Sequence, residues 1–132
     1  MTVISLNNNE NYAVISIDLR KTRIRIHKST LHILGDPQYI QLLVNPEKMT
    51  VAVKSVDTYL PGDNIHTVYK DVLHSDNSYE IYSKVFVKKL CAVIGDLDPG
   101  YSYRMSGRIL KIHQAAVFSM KTLQKIGSQI GG

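Results

Sequence analysis

The sequence predicts an α+β fold in which small β-hairpins alternate with short helices, and three observations carry that expectation. Runs of β-branched and aromatic residues are short, and several alternate with polar residues. Glycine and proline stop each helical stretch after a few turns. The order strand, helix, hairpin is readable twice along the 132 residues. With 44% hydrophobic and 20% charged residues, the chain suits one compact domain over 1–132, or two small halves sharing a core.

Each element has its own signal. Tyr12-Ala13-Val14-Ile15-Ser16-Ile17 reads as a strand after an Asn-rich lead. Thr22 to His27 alternates strictly, placing Ile24 and Ile26 on one face and Arg23 and Arg25 on the other. Ser29 or Thr30 caps a short helix through Leu34, which Gly35 ends and Pro37 bars from continuing. Tyr39 to Val44 and Met49 to Val53 flank Asn45-Pro46-Glu47-Lys48 and form a hairpin. Residues 57–78 read as an acidic connector, broken by Pro61-Gly62-Asp63, with room for a short element from Thr67 to Leu73.

The pattern then restarts, dividing the chain into halves 12–56 and 79–126. Tyr79 to Tyr82 is extended, and Ser83 caps a helix running to Ile94, before Gly95. Phe86, Leu90, Val93 and Ile94 share its apolar face, opposite Lys84 and Lys88. Tyr101 to Met105, a Ser106-Gly107 turn, Ile109 to His113 and Ala115 to Met120 read as strands. Ile109, Ile112, Ala116, Met120 and Leu123 also have helical spacing, so a helix over 109–130 stays open as the second reading. Gly127 to Gly132 is expected to fray.

The net charge of +5 is unevenly distributed: +2 over residues 1–60, −3 over 61–80 and +6 over 81–132. Two basic blocks flanking an acidic connector invite a polyanionic partner. Arg20, Lys21, Arg23, Arg25 and Lys28 place five cations within nine residues and no acid among them. Arg23 and Arg25 share a strand face about 7 Å apart, comparable to phosphate spacing along a nucleic-acid strand. The competing reading is a solvated sheet face, or an edge strand protected by charge. Lys88, Lys89, Arg104, Arg108 and Lys111 form a second basic group, and eight tyrosines raise base stacking against ordinary half-buried sheet positions.

Catalysis and metal binding find no footing. His27, His32, His66, His74 and His113 lack zinc spacing, and no GxSxG, Walker or GxGxxG pattern occurs. Asp96 and Asp98 sit where Asp serves turns. A lone Cys91 forms no intramolecular disulfide and points to a reducing, cytoplasmic setting. The start lacks a signal-peptide pattern, and no apolar run approaches the ~20 residues of a membrane span. The expectation is a non-enzymatic protein without cofactors.

Arg23-Ile24-Arg25-Ile26-His27-Lys28, then Leu31-His32-Ile33-Leu34-Gly35, then the hairpin to Val53, resembles the AbrB-like swapped-hairpin family. This family includes transition-state regulators and MazE-type antitoxins. The resemblance spans residues 22–53, with a degenerate echo at 79–120 in which Lys84, Gly95 and Asp98-Pro99-Gly100-Tyr101 answer Lys28, Gly35 and Asp36-Pro37-Gln38-Tyr39. His27 stands where the family usually has Pro, and Asp36-Pro37-Gln38 replaces its usual Pro-Gly-Asp. The resemblance implies an interleaved β-barrel made from two copies of the unit, from two chains or one duplicated chain. It also implies a DNA-facing surface at Arg23, Arg25 and Lys28, and at Lys84 and Lys88.

The resulting expectation is a DNA-binding transcriptional regulator. It would contact double-stranded DNA through phosphates with Arg20, Lys21, Arg23, Arg25, Lys28, Lys84 and Lys88, as a homodimer or duplicated pseudo-dimer. The alternative is a protein-interaction module of antitoxin or mobile-element accessory type, using the same hairpins against another protein.

Overall fold

A computed structural model describes residues 12–59, 61, 64–69 and 78–126. The elements are β1 (Tyr12–Asp18), β2 (Arg23–His27), α1 (Lys28–Ile33), β3 (Tyr39–Asn45), β4 (Thr50–Val56) and β5 (Ile65–Thr67). There follow β6 (Ser78–Tyr82), α2 (Lys84–Ile94), β7 (Ser102–Leu110), β8 (Ala115–Ser119) and β9 (Gln124–Ile126). One antiparallel sheet runs β5-β3-β4-β8-β7-β1-β2-β6, and β9 joins the edge of β7 beyond β8. Tyr79 Oη on β6 donates to the Thr67 carbonyl of β5 at 2.5 Å, bringing the two ends together. Among the described residues the result is a nearly closed β-barrel with two short helices.

Alternation decides what fills it. Ile15, Ile17, Ile24, Ile26, Ile40, Leu42, Val51, Val53, Met105 and Phe118 point inward and are fully or almost fully buried. Helix α2 lays Phe86, Val87 and Leu90 on this core, while Lys84 and Lys88 stay exposed. Burying a side chain such as Phe86 contributes roughly 2–3 kcal/mol. Ser83 Oγ accepts the Phe86 N–H at 3.2 Å at the start of α2. At its end Gly95 takes a φ of 81°, a left-handed position that suits glycine.

Several expectations need correction. Helix α1 begins at Lys28, two residues earlier than a Ser29 cap allows, and its N-cap His27 makes no side-chain cap bond. Thr30 lies inside the helix and is buried, so it does not cap. The Ser106-Gly107 turn does not exist. β7 runs straight through it, pairing with β1 over Ser102–Arg108 and with β8 over Gly107–Leu110. The hairpin turns instead at the 3-10 segment Lys111–His113, with Gln114 left-handed at φ 52°. Gly107 serves close approach, because a Cβ there would lie 1.9 Å from the Val117 carbonyl oxygen. Strands β8 and β9 exclude the helical reading of 109–130, and a 3-10 turn, Met120–Thr122, separates them.

The connector also carries structure, since Ile65–Thr67 pairs with Tyr39–Gln41 as β5. The lead over residues 1–11, the connector over 70–77 and the tail Gly127 to Gly132 lie outside the described residues. The succession strand–helix–strand–strand occurs as β2-α1-β3-β4 and again as β6-α2-β7-β8. β2 pairs with β6 and β4 with β8, so the halves 12–56 and 79–126 share one sheet and one core.

Candidate nucleic-acid interface

Arg23 and Arg25 face outward from β2, as their alternation requires, but they do not stand free. Asp18 is buried at the end of β1, where its Oδ1 accepts the Arg20 and Lys21 N–H groups at 3.0 and 3.3 Å. Its Oδ2 accepts from Arg23 Nη2 at 3.0 Å. From the neighbouring β6, Glu80 Oε2 accepts from Arg25 Nε and Nη2 at 3.1 and 2.7 Å and lies 3.6 Å from Arg23 Nη1. Burial works against the charge on Arg23. The Tyr82 hydroxyl and the Glu80 and Asp18 charges outweigh it, so the guanidinium pKa sits above its ordinary value. Two of the seven expected DNA contacts are thus engaged with carboxylates.

The other five fall as two pairs and one single residue. Arg20 and Lys21 are exposed in the tight turn between β1 and β2. That turn meets α2, because Ser83 N–H donates to the Thr22 carbonyl at 3.0 Å. Lys84 and Lys88 border an open cleft of about 430 Å³ beside Thr22, with Val87 and Cys91 on its floor. Lys28 is half-buried where α1 begins.

A different surface gathers cations without carboxylates. Pairing sets Tyr12 opposite Arg108, Val14 opposite Ser106, and Ser16 opposite Arg104 on the outward face of β1 and β7. The same face continues through Val117 of β8 to Ala52 of β4, and through Leu110 and Ala115 to Lys54. Arg104, Arg108 and Lys54 are exposed on it, and Lys121 stands on the adjoining 3-10 turn. Among the described residues, none of these four cations has a carboxylate within ion-pair distance. Arg104 Nη2 reaches Gln124 Oε1 at 3.4 Å.

The 3-10 turn forms one wall of a groove on this face. Thr122 Oγ1 accepts the Ser106 N–H at 2.9 Å and fixes the turn to β7. Two adjoining depressions, of about 740 and 650 Å³, meet at Tyr12, Ser106 and Thr122. Arg104 and Lys121 line the first, and Arg108, Leu110 and Val117 line the second. Reading the sequence as broken at Ser106-Gly107 hid this arrangement. Taken as one strand, Arg104, Ser106 and Arg108 alternate with the buried Tyr103, Met105 and Ile109, which is a plain period-two signal.

Lys125 is otherwise occupied, 4.2 Å from the Tyr101 ring centre and 3.9 Å from Asp98 Oδ2. Among the described residues, no three His, Cys, Asp or Glu side chains converge as a metal site, and no helix is long and apolar enough to cross a membrane. No family model, curated protein or solved structure matches the chain.

Proposed function

We propose that this protein is a DNA-binding module of regulatory type, and that it engages the phosphate backbone through the outer face of β1, β7, β8 and β4. The observation that carries this reading is the set Arg104, Arg108, Lys54 and Lys121, exposed together with no described carboxylate paired to them. Such cations release counterions when they meet phosphates, which gives affinity that falls with salt. Arg23 and Arg25 are held by Asp18 and Glu80, so they contribute less than their position in the sequence suggests.

The topology supports an AbrB-like, internally duplicated barrel. Exchanging β1 with β5, β2 with β6, β3 with β7 and β4 with β8 maps the pairings among β1–β8 onto one another, with the β7–β9 pairing left over. The Tyr79–Thr67 bond then takes the place of the β1–β2 pairing. A chain that closes the barrel by itself needs no second copy to complete it.

The test is fluorescence anisotropy of labelled mixed-sequence DNA, single-stranded and duplex, at about 50 and 200 mM salt. Three or four phosphate contacts should lose roughly two decades of affinity between those salts. Arg104→Ala/Arg108→Ala should weaken binding and flatten the salt dependence more than Arg23→Ala/Arg25→Ala. Absence of binding to either DNA at the lower salt overturns the reading and favours a protein partner for the same face.

A further inference from the structure

Resting on that reading, we infer that the groove across Tyr12 is a track for an unpaired strand, in which Tyr12 stacks a base while Arg104 and Arg108 hold phosphates. Tyr12 opens β1 on the outward face and is 60% exposed, so its ring is available to a ligand. Its cross-strand partner is Arg108, and the two residues line one depression. Arg104 lies four residues along the same strand, about 13 Å away. That is twice the Arg23–Arg25 spacing, or two phosphate steps of an extended chain.

Between the two arginines the floor is low. Val14 and Ser106 form the intervening pair, and neither reaches as far as an arginine or tyrosine. Lys121 and Thr122 rise on the side of β9 and give the groove one wall. Beyond Arg108, Leu110 and Val117 add apolar lining. Aromatic ring, flanking cations and a shallow floor are what a single strand requires, because every base offers a π-face and every phosphate a charge. A duplex keeps its bases stacked on one another and offers nothing for Tyr12 to hold.

The experiment compares a labelled twelve-residue oligothymidylate with a duplex of equal length, using the full chain at about 50 mM salt. The single strand should bind more tightly. Tyr12→Ala should weaken that binding roughly 10- to 100-fold with its salt slope unchanged, and Tyr12→Phe should retain it. Arg104→Ala/Arg108→Ala should instead reduce the slope. Because Tyr12 is largely exposed, a circular dichroism spectrum matching that of the unsubstituted protein is expected for each Tyr12 variant. Equal binding of duplex and single strand, or indifference of the single strand to Tyr12→Ala, overturns the track and leaves the phosphate-binding reading standing. No binding of either nucleic acid overturns both.

Discussion

Arg25 donates two hydrogen bonds to one oxygen of Glu80, at 2.7 and 3.1 Å, across the β2–β6 pairing. The same oxygen lies 3.6 Å from Arg23, so a single carboxylate restrains two guanidinium groups on the outer face. Glu80→Gln should therefore loosen Arg25, while Arg23 keeps its bond to Asp18. The groups are partly solvent-exposed, so the expected loss of stability is about 1 kcal/mol or less. DNA affinity at low salt should rise a few-fold. Denaturant unfolding and anisotropy titration, run on one preparation, read the two effects separately.

Gly107 fixes how closely β7 and β8 approach. A methyl group there meets the Val117 carbonyl oxygen at 1.9 Å and the Phe118 Cα at 2.6 Å, both backbone atoms that cannot rotate aside. Gly107→Ala should cost about 3 kcal/mol, lowering the melting temperature by roughly 10 °C. Ser106→Ala, one residue away and facing outward, should leave the melting temperature within about 2 °C of the original. Thermal scans of the two variants make the comparison.

His66 in β5 is half-buried, and among the described residues its Nε2 is buried without a hydrogen-bond partner. Burial disfavours the imidazolium and lowers the folded-state pKa below the ordinary value of about 6.5. Protonation therefore favours the unfolded chain. The stability that neutral His66 confers is fully present above pH 6.5 and is lost as pH falls from there towards the lowered folded-state value. Melting temperatures measured between pH 7.5 and pH 5 should decline more steeply for the unsubstituted protein than for His66→Gln.

Cys91 packs on the core-facing side of α2 at the floor of the Lys84–Lys88 cleft. Burial pushes its thiol pKa up, so at neutral pH the reactive thiolate is scarcer than for a free cysteine. Alkylation by iodoacetamide at pH 7.5 should be several-fold slower than for a cysteine-containing peptide. Urea unfolding should remove the difference.

What the sequence disclosed depended on whether the governing contacts were local. Alternation in Arg23-Ile24-Arg25-Ile26 assigned faces correctly, since side-chain direction in a strand needs no partner. The Ser83 cap and the Gly95 stop were legible because a helix end is set by its own few residues. Glu80 neutralising Arg23 and Arg25 was not legible, since it lies 55 positions after Arg25 and the β2–β6 pairing alone brings it there. Gly107 misled for a related reason. A glycine demanded by a crossing strand looks, in one dimension, like a glycine demanded by a turn. That misreading split β7 and scattered Tyr12, Arg104, Arg108 and Lys121, which the register of β1 and β7 and the 3-10 turn place around one groove.

The Tyr79–Thr67 bond has a consequence for how the molecule breathes. Most neighbouring strands are stitched by ladders of backbone hydrogen bonds, whereas among the described residues β5 and β6 meet through one side-chain hydroxyl. Removing that clasp frees two strand edges that no described backbone ladder joins. Amide exchange should begin at those edges, and Tyr79→Phe should hasten it there before it alters exchange in β1 or β7. At high concentration two opened rings can each accept the other's half, recreating every native contact between molecules instead of within one. The seam that lets one chain close on itself is thereby also the place where two chains would interlock.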